Sequence, residues 1–224
     1  MVDFGLVHLT DDPTATCGSL AASAWWVSEA CKDGQLAQVA IRHALTTEQV
    51  YFRADGSTYH TATLDPESGQ VLDRGTFQGA RPESCWSRGQ AWAIAGFAEA
   101  YRYTGRSGFL EASLRAWQYY SKQSNGTLPL WGFEAPHGSP RDSSAAAIAA
   151  YGILLLGMTC GDTSLINAGL AHLAYLYEHC LRDVGYDGLL DHAAYSVPHG
   201  VGIDEAIVWG DYFFMKALDL LDRL

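Results

Sequence analysis

Hydrophobic residues recur along most of the chain with the three-to-four-residue spacing of amphipathic α-helices. Residues 35–52 show the pattern well, because Leu36, Val39 and Ala44 share one face that is apolar apart from His43. The predicted helices span residues 20–31, 35–52, 84–103, 108–123, 141–158, 164–181 and 204–221.

Three of these helices begin in a similar way. Leu36, Leu110 and Leu165 occupy equivalent positions near their starts, and small or apolar residues follow at matching offsets. A repeat of roughly 50 residues that contains two helices predicts an array of αα-hairpins. The longer first interval contains polar–apolar alternation at residues 59–64 and a turn at 65–69, which predict an inserted β-hairpin. The pattern therefore indicates an α/α toroid, or part of one.

Composition separates the predicted helices into two kinds. Residues 84–103 and 141–158 are rich in alanine and glycine, whereas the helices between them are more polar. Small residues allow helices to pack closely, so the first kind is expected to form an inner ring and the second an outer ring. Loops at one end of such a ring are the expected position of a binding site.

Charge and cysteine content narrow the classes of function. The formal net charge is −11 and no basic run is present, which argues against a nucleic-acid ligand. No uninterrupted apolar run approaches about 18 residues, so no membrane partner is expected, and no signal peptide is visible. Five unpatterned cysteines indicate reduced thiols and a cytoplasmic location. They are Cys17, Cys31, Cys85, Cys160 and Cys180.

The segment at 78–92 contains the densest set of candidate binding residues. Arg88 and Trp92 lie four positions apart on one predicted helix face, Gln78 precedes the helix, and Ser84 is its expected cap. An indole ring stacks on a pyranose and a guanidinium binds a carboxylate, so the set suits a sugar acid. The alternative is a buried tryptophan that packs on an arginine stem.

Several carboxylates are candidates for acid–base chemistry. Asp142 lies at the start of the predicted helix at 141–158, where Asp142 or Ser143 is the expected cap and Asp142 is alternatively a catalytic acid. Asp204, Glu205 and Asp211 resemble the paired carboxylates of glycosidases, although acids also favour the first turn of a helix for electrostatic reasons alone.

The histidines and glycines carry no further signal. His60 lies in the predicted β-hairpin, and His192 and His199 lie in the loop before the last helix; loop histidines of this kind are mostly surface residues. Their spacing predicts no metal site, and no phosphate-binding or nucleotide-binding glycine motif is present.

Five short motifs, in order, resemble the unsaturated glucuronyl hydrolases, and the resemblance runs from about residue 20 to the C-terminus. The motifs are RADGSTYH at 53–60, WSRGQAW at 86–92, YRYTG at 101–105, RDSSAAA at 141–147 and WGDYF at 209–213.

The resemblance implies an all-α, incomplete (α/α)6 barrel with a short β-hairpin insertion. It implies one domain over residues 1–224 that corresponds to the C-terminal part of the family and lacks the N-terminal hairpins. The family removes 4,5-unsaturated glucuronate from lyase-generated oligosaccharides without a cofactor. An aspartate protonates C4 of the vinyl ether, water adds to C5, and the resulting hemiketal opens.

The resemblance also transfers individual residues. His60, Gln78, Arg88 and Trp92 fall on substrate-binding positions, and Tyr195, His199 and Asp204 lie in a family-like terminal loop without assigned roles.

The catalytic residue is not identified by the same transfer. The principal catalytic aspartate of the family falls on Thr16, and its supporting aspartate belongs to the N-terminal half. Asp11, Asp12 and Asp142 remain candidates. A threonine hydroxyl has too high a pKa to replace a carboxylic acid as a proton donor.

Three functions are consistent with the sequence. The first is a glycoside hydrolase that acts on an unsaturated uronyl oligosaccharide. The second is a truncated, inactive relative that at most binds sugar, and the third is a helical-repeat scaffold that binds protein. An incomplete barrel also predicts self-association through its open edge.

Overall fold

The computed structural model describes residues 34–183 and 185–224. Helices formed at the predicted positions, with bounds that differ from the prediction by at most four residues, and the predicted helix at 20–31 lies outside the described residues. The described helices are α1 (Gly34–Tyr51), α2 (Ser87–Thr104), α3 (Ser107–Ser124), α4 (Ser143–Cys160), α5 (Thr163–His179) and α6 (Val208–Leu221).

The predicted β-hairpin is present between α1 and α2. Strand β1 (Thr61–Leu64) pairs antiparallel with β2 (Val71–Gly75), with Thr61 opposite Gly75. A second hairpin was not predicted: β3 (Ala193–Ser196) pairs antiparallel with β4 (Val201–Glu205) across a 3₁₀ turn at Val197–His199.

This second hairpin corrects two sequence expectations. Asp204 and Glu205 belong to β4 and not to the first turn of the last helix, which begins at Val208. Similarly, α2 begins at Ser87 after Trp86, and the hydroxyl of Ser84 donates to the carbonyl of Arg81 instead of capping the helix.

The helices pack as a curved array of hairpins. Helix α4 lies between α2 and α6 and also packs on α5, while α3 packs on α2. The short connections from α2 to α3 and from α4 to α5 make each of these pairs antiparallel. The predicted all-α hairpin array is confirmed, with α2, α4 and α6 side by side.

Helix α4 is the core of this array. Its 18 residues have a mean hydropathy of 1.6, which by length and composition would suffice for a membrane span, although serines and a tyrosine interrupt the apolar run. However, 83% of the helix is buried within the protein. Its apolar character is therefore explained by packing against α2, α5 and α6.

A buried carboxylate joins α2, α4 and α6 away from their N-terminal ends. Glu99 of α2 accepts a hydrogen bond from Tyr151 of α4 and from Nε of Arg102 at 2.9 Å. Its carboxylate also lies 3.7 Å from Nζ of Lys216 on α6. A carboxyl group that is 2% exposed needs such hydrogen-bond partners in the interior.

Glycine sets the distance between α2 and α4. A Cβ atom added to Gly152 would lie 2.7 Å from the backbone nitrogen and Cα of Ala95, closer than packed atoms tolerate. The expected close approach of alanine- and glycine-rich helices is thus observed.

One face of α6 remains uncovered. Val208, Tyr212 and Met215 follow one another at helical spacing and are 71%, 46% and 54% exposed. This stripe lies on the last described helix of the array, where a further hairpin would pack. Self-association through it stays a prediction.

Replacement of Gly152 by alanine is expected to destabilise the fold by about 1–3 kcal/mol, because the α2 backbone cannot move away without disturbing the core. The matched control is Gly108→Ala in α3, where an added Cβ meets nothing within 4 Å. That variant should be unchanged or more stable by up to about 1 kcal/mol. Urea unfolding measures both, and equal midpoints for the two variants would contradict the packing argument.

Candidate functional site

The candidate site lies where α2, α4 and α6 begin. Arg88 is in the first turn of α2, Asp142 is the N-cap residue of α4, and Trp209 is in the first turn of α6. The guanidinium carbon of Arg88 lies 4.7 Å from the ring centre of Trp86 and 5.6 Å from that of Trp209. Three helix N-termini and a set of aromatic rings therefore meet around one arginine.

The guanidinium of Arg88 is only 1% exposed and is held by five oxygen acceptors. They come from the loop before α2, the start of α4 and strand β3, so one side chain connects segments that are far apart in sequence. Nη1 donates to Asp142 Oδ2 (3.1 Å), Ser144 Oγ (2.9 Å) and the carbonyl of Ala194 (3.1 Å), and Nη2 donates to Gln78 Oε1 (3.1 Å) and the carbonyl of Tyr195 (2.6 Å).

This geometry changes the interpretation of Arg88. Gln78 accepts from Arg88, and both terminal nitrogens already have protein partners. Direct contact with a substrate carboxylate would require one of these partners to leave. In the described structure, Arg88 is a positioning residue that fixes the walls of the site.

Both carboxylate oxygens of Asp142 are also engaged. Oδ2 pairs with Arg88, and Oδ1 accepts from the backbone N–H and the hydroxyl of Ser144 at 3.1 and 2.5 Å. The side chain is fully buried. Of the two roles predicted from sequence, the structure shows the helix cap, with both oxygens already bonded to protein groups. A catalytic role for Asp142 stays a prediction.

His60 contributes a buried donor to the site. Its Nδ1 lies 3.2 Å from the backbone nitrogens of both Phe77 and Gln78, which makes Nδ1 an acceptor. Burial, assisted by the charge of Arg88, lowers the pKa of His60 to about 4. The neutral ring therefore carries its proton on Nε2, which is buried without a hydrogen-bond partner among the described residues. The loop position of His60 alone suggested a surface residue. The structure instead buries this histidine within the candidate site.

Trp92 lies one helical turn beyond Arg88 and faces α6, where its ring packs edge-on against Phe213 with centroids 5.0 Å apart. The predicted common face of Arg88 and Trp92 is thus observed. A sugar-binding role for His60, Gln78, Arg88 and Trp92 stays a prediction.

Sequence reasoning missed the aromatic rim of the site. Tyr195 is 36% exposed and packs on Trp209, and Phe77, which is 40% exposed, stacks on His199 with centroids 4.4 Å apart. The Nε1 atom of Trp209 is buried without a partner among the described residues. The WGD sequence at 209–211 was a signal for this position.

The predicted carboxylate pair near the C-terminus is not assembled. Asp211 accepts hydrogen bonds from the backbone of Leu189 and Leu190 at 3.0 Å, whereas Asp204 binds His192. Glu205 lies in β4. Thr16, Asp11 and Asp12 lie outside the described residues.

Comparison with known proteins finds similarity to unsaturated glucuronyl hydrolases, although no protein-family model matches the chain. The chain is 35% identical over 209 residues to the unsaturated glucuronyl hydrolase of Bacillus sp. strain GL1, covering 88% of this chain and 55% of the relative. It thus spans about half the length of the curated relatives that it matches.

Solved structures share the fold as well. The crystal structure of the Bacillus sp. GL1 enzyme has a TM-score of 0.85 at 33% identity, covering 91% of this chain and 56% of that one. A mutant of the Streptococcus agalactiae enzyme complexed with dGlcA-GalNAc6S has a TM-score of 0.79 at 30% identity, again covering 91% and 56%. The chain therefore has the fold of part of these α/α-barrel enzymes.

Removal of the Arg88 side chain should unfold or strongly destabilise the chain. Arg88→Met leaves buried acceptors without donors, for which a loss of about 3–5 kcal/mol is expected in urea unfolding. Arg223→Met removes an arginine that is 65% exposed from its pair with Asp219, and should change stability by less than about 1 kcal/mol. A cost below about 1 kcal/mol for Arg88→Met would refute the positioning role.

His60 should make stability depend on pH in a defined window. Its pKa is about 4 in the folded protein against an ordinary value of 6.5, so its contribution is complete above pH 6.5 and is lost as pH falls toward 4. Relative to His60→Gln, the wild type should lose about 3 kcal/mol between pH 7 and pH 4. The exposed His137, as His137→Gln, serves as the control. Parallel stability curves for wild type and His60→Gln would contradict the assignment of a neutral, buried His60.

Proposed function

We propose that this chain, a member of the unsaturated glucuronyl hydrolase family, binds the 4,5-unsaturated uronyl end of lyase-generated oligosaccharides. We further propose that the whole protein hydrates the C4=C5 bond of that uronate and thereby releases it. Because the chain spans about half the length of its relatives, the activity and the substrate are inferences about the whole protein.

The observation that supports this proposal is the match between the site and a sugar acid. The partly exposed rings of Tyr195 and Trp209 offer flat apolar surfaces on which the C–H groups of a pyranose can stack. Nε2 of His60 and Nε1 of Trp209 itself are buried N–H donors without partners among the described residues. A ligand rich in acceptors, such as a hydroxylated carboxylate, satisfies such groups.

Helix electrostatics favour an anion at the same place. Helices α2 and α6 begin at the site without a side-chain cap, so part of their N-terminal backbone N–H groups depend on other partners. The positive ends of the helix dipoles lie there as well. These local donors can hold a uronate carboxylate although the chain as a whole carries a net charge of −11.

The chemistry requires one group that the described site does not offer. Protonation of C4 needs an acid within hydrogen-bond reach, and water must then add to C5. Asp142 is committed to Arg88 and to the start of α4, and Glu134 accepts from the backbone of Cys85 and from Tyr119. We therefore place the proton donor outside the described residues.

The alternative is a relative that binds the sugar without turnover. The observation that favours it is the same commitment of Asp142 and Glu134, together with Thr16 at the position of the principal catalytic aspartate. A protein-binding scaffold is the least supported alternative, because it would not need buried donors beneath an aromatic rim.

The first experiment measures binding. An unsaturated chondroitin disaccharide titrated into the chain should bind, and Trp209→Phe should weaken binding about three- to tenfold, the worth of one hydrogen bond. Trp117→Phe, in the core near α5 and remote from the site, is the matched control. Equal affinities for the two variants would remove Trp209 from the site.

The same titration followed by ultraviolet absorbance reports turnover of the C4=C5 bond. Without a donor in place the chain should show no loss of signal above background, since acid catalysis contributes about 100- to 10,000-fold. A rapid loss that Asp11→Asn or Asp12→Asn abolishes would show that the donor is on this chain and that the assignment to Thr16 is wrong.

A further inference from the structure

A second cleft lies at the base of the β3–β4 hairpin. Its volume is about 480 Å³, within the range of roughly 300–1,000 Å³ that is typical of small-molecule sites. The loop between α3 and α4, the last turns of α5 and the base of the hairpin form its walls. The residues that carry the argument are Arg141, Tyr175, His179, His192 and Asp204.

The charges in this cleft differ from those of the rest of the chain. Arg141, His179 and His192 face it together with a single carboxylate, Asp204, in a protein whose formal net charge is −11. Asp204 is itself paired, because its Oδ1 lies 2.6 Å from Nδ1 of His192. The carboxylate therefore orients His192.

The backbone around this pair is unusual. His192 and Asp204 both have positive φ angles, 65° and 61°, a conformation that residues with a side chain adopt at a cost. Strained residues of this kind persist where the surroundings hold them and are concentrated at binding and catalytic sites. Here both flank the hairpin and both side chains reach the same cleft. The Nε2 atom of His192 has no partner among the residues that the structure describes.

An aromatic surface completes the cleft. The Tyr175 ring packs on His179 with centroids 4.4 Å apart, and Leu128 and Ile203 add apolar area beside it. A flat ring edged by nitrogen donors suits a pyranose that carries a negative group, because the ring stacks on C–H groups while the N–H groups of arginine and histidine bind the anion.

We propose that this cleft is an accessory binding site for an acidic saccharide, one that carries carboxylate or sulfate groups. It shares no residue with the Arg88 network, so the proposal does not rest on the proposed function of that site. The two are nevertheless connected through the backbone, since Ser143 at the start of α4 donates to the carbonyl of His192 at 2.9 Å.

The test is a ¹H–¹⁵N NMR titration of the intact chain with three probes: unsaturated chondroitin 6-sulfate disaccharide, the unsulfated disaccharide and inorganic sulfate. The sulfated disaccharide should shift the amides of Gly138, Tyr175 and His192. Arg141→Gln should weaken this response about tenfold or more, the worth of a charge-assisted hydrogen bond. His179→Gln, at an exposed position that cannot affect folding, should weaken it about threefold. His137→Gln, on the same loop but outside the cleft, should change nothing.

Each probe separates one explanation. Stronger binding of either disaccharide than of inorganic sulfate supports the proposal, and the two disaccharides distinguish a sulfate from a carboxylate as the bound group. Equal affinity for inorganic sulfate and both disaccharides would overturn the assignment to a saccharide. Shifts confined to the indole N–H of Trp209, with none at His192, would overturn the accessory site while leaving the proposed function intact.

Discussion

A guanidinium group that is removed from water needs hydrogen-bond acceptors, and both terminal nitrogens of Arg88 find them by drawing three distant segments together. The loop at Gln78, the first turn of α4 at Asp142 and the carbonyl groups of β3 all converge on it. Loss of these acceptors weakens the hydrogen bonding of a buried charge, which is why the positions of the helix starts and of the second hairpin are interdependent.

The same convergence determines how a ligand meets the site. The buried side chains of Arg88 and Asp142 are already bonded to each other and to neighbouring groups. The accessible surface is therefore the rim of Tyr195, Phe77 and Trp209. Recognition of a sugar then depends on ring stacking and on a few buried N–H groups. The hydrogen bonds of Arg88 fix the positions of these groups. The site is rigid at its base and adaptable at its edge, where the side chains are partly in solvent.

The sequence predicted the helices because their apolar spacing is a local property, and it predicted the first hairpin from alternation and a turn. It did not predict β3 and β4, since two strands of four and five residues with glycines between them carry little periodic signal. The acceptors of Arg88 could not be read locally either, because the carbonyl groups of Ala194 and Tyr195 are independent of side-chain identity. The burial of His60 could not be predicted locally either, because it results from the loop at Phe77 folding over the ring.

The central position of α4 has a consequence for the order in which the structure opens. This helix is enclosed by α2, α5 and α6, and Asp142 seals its first turn. Its amide hydrogens can exchange with solvent only when the whole array comes apart, so their exchange rates report global unfolding. The first hairpin and α1, which make far fewer contacts with the core, can open separately and exchange sooner. The residues that form the site are thus attached both to α4, which opens last, and to the first hairpin, which opens early.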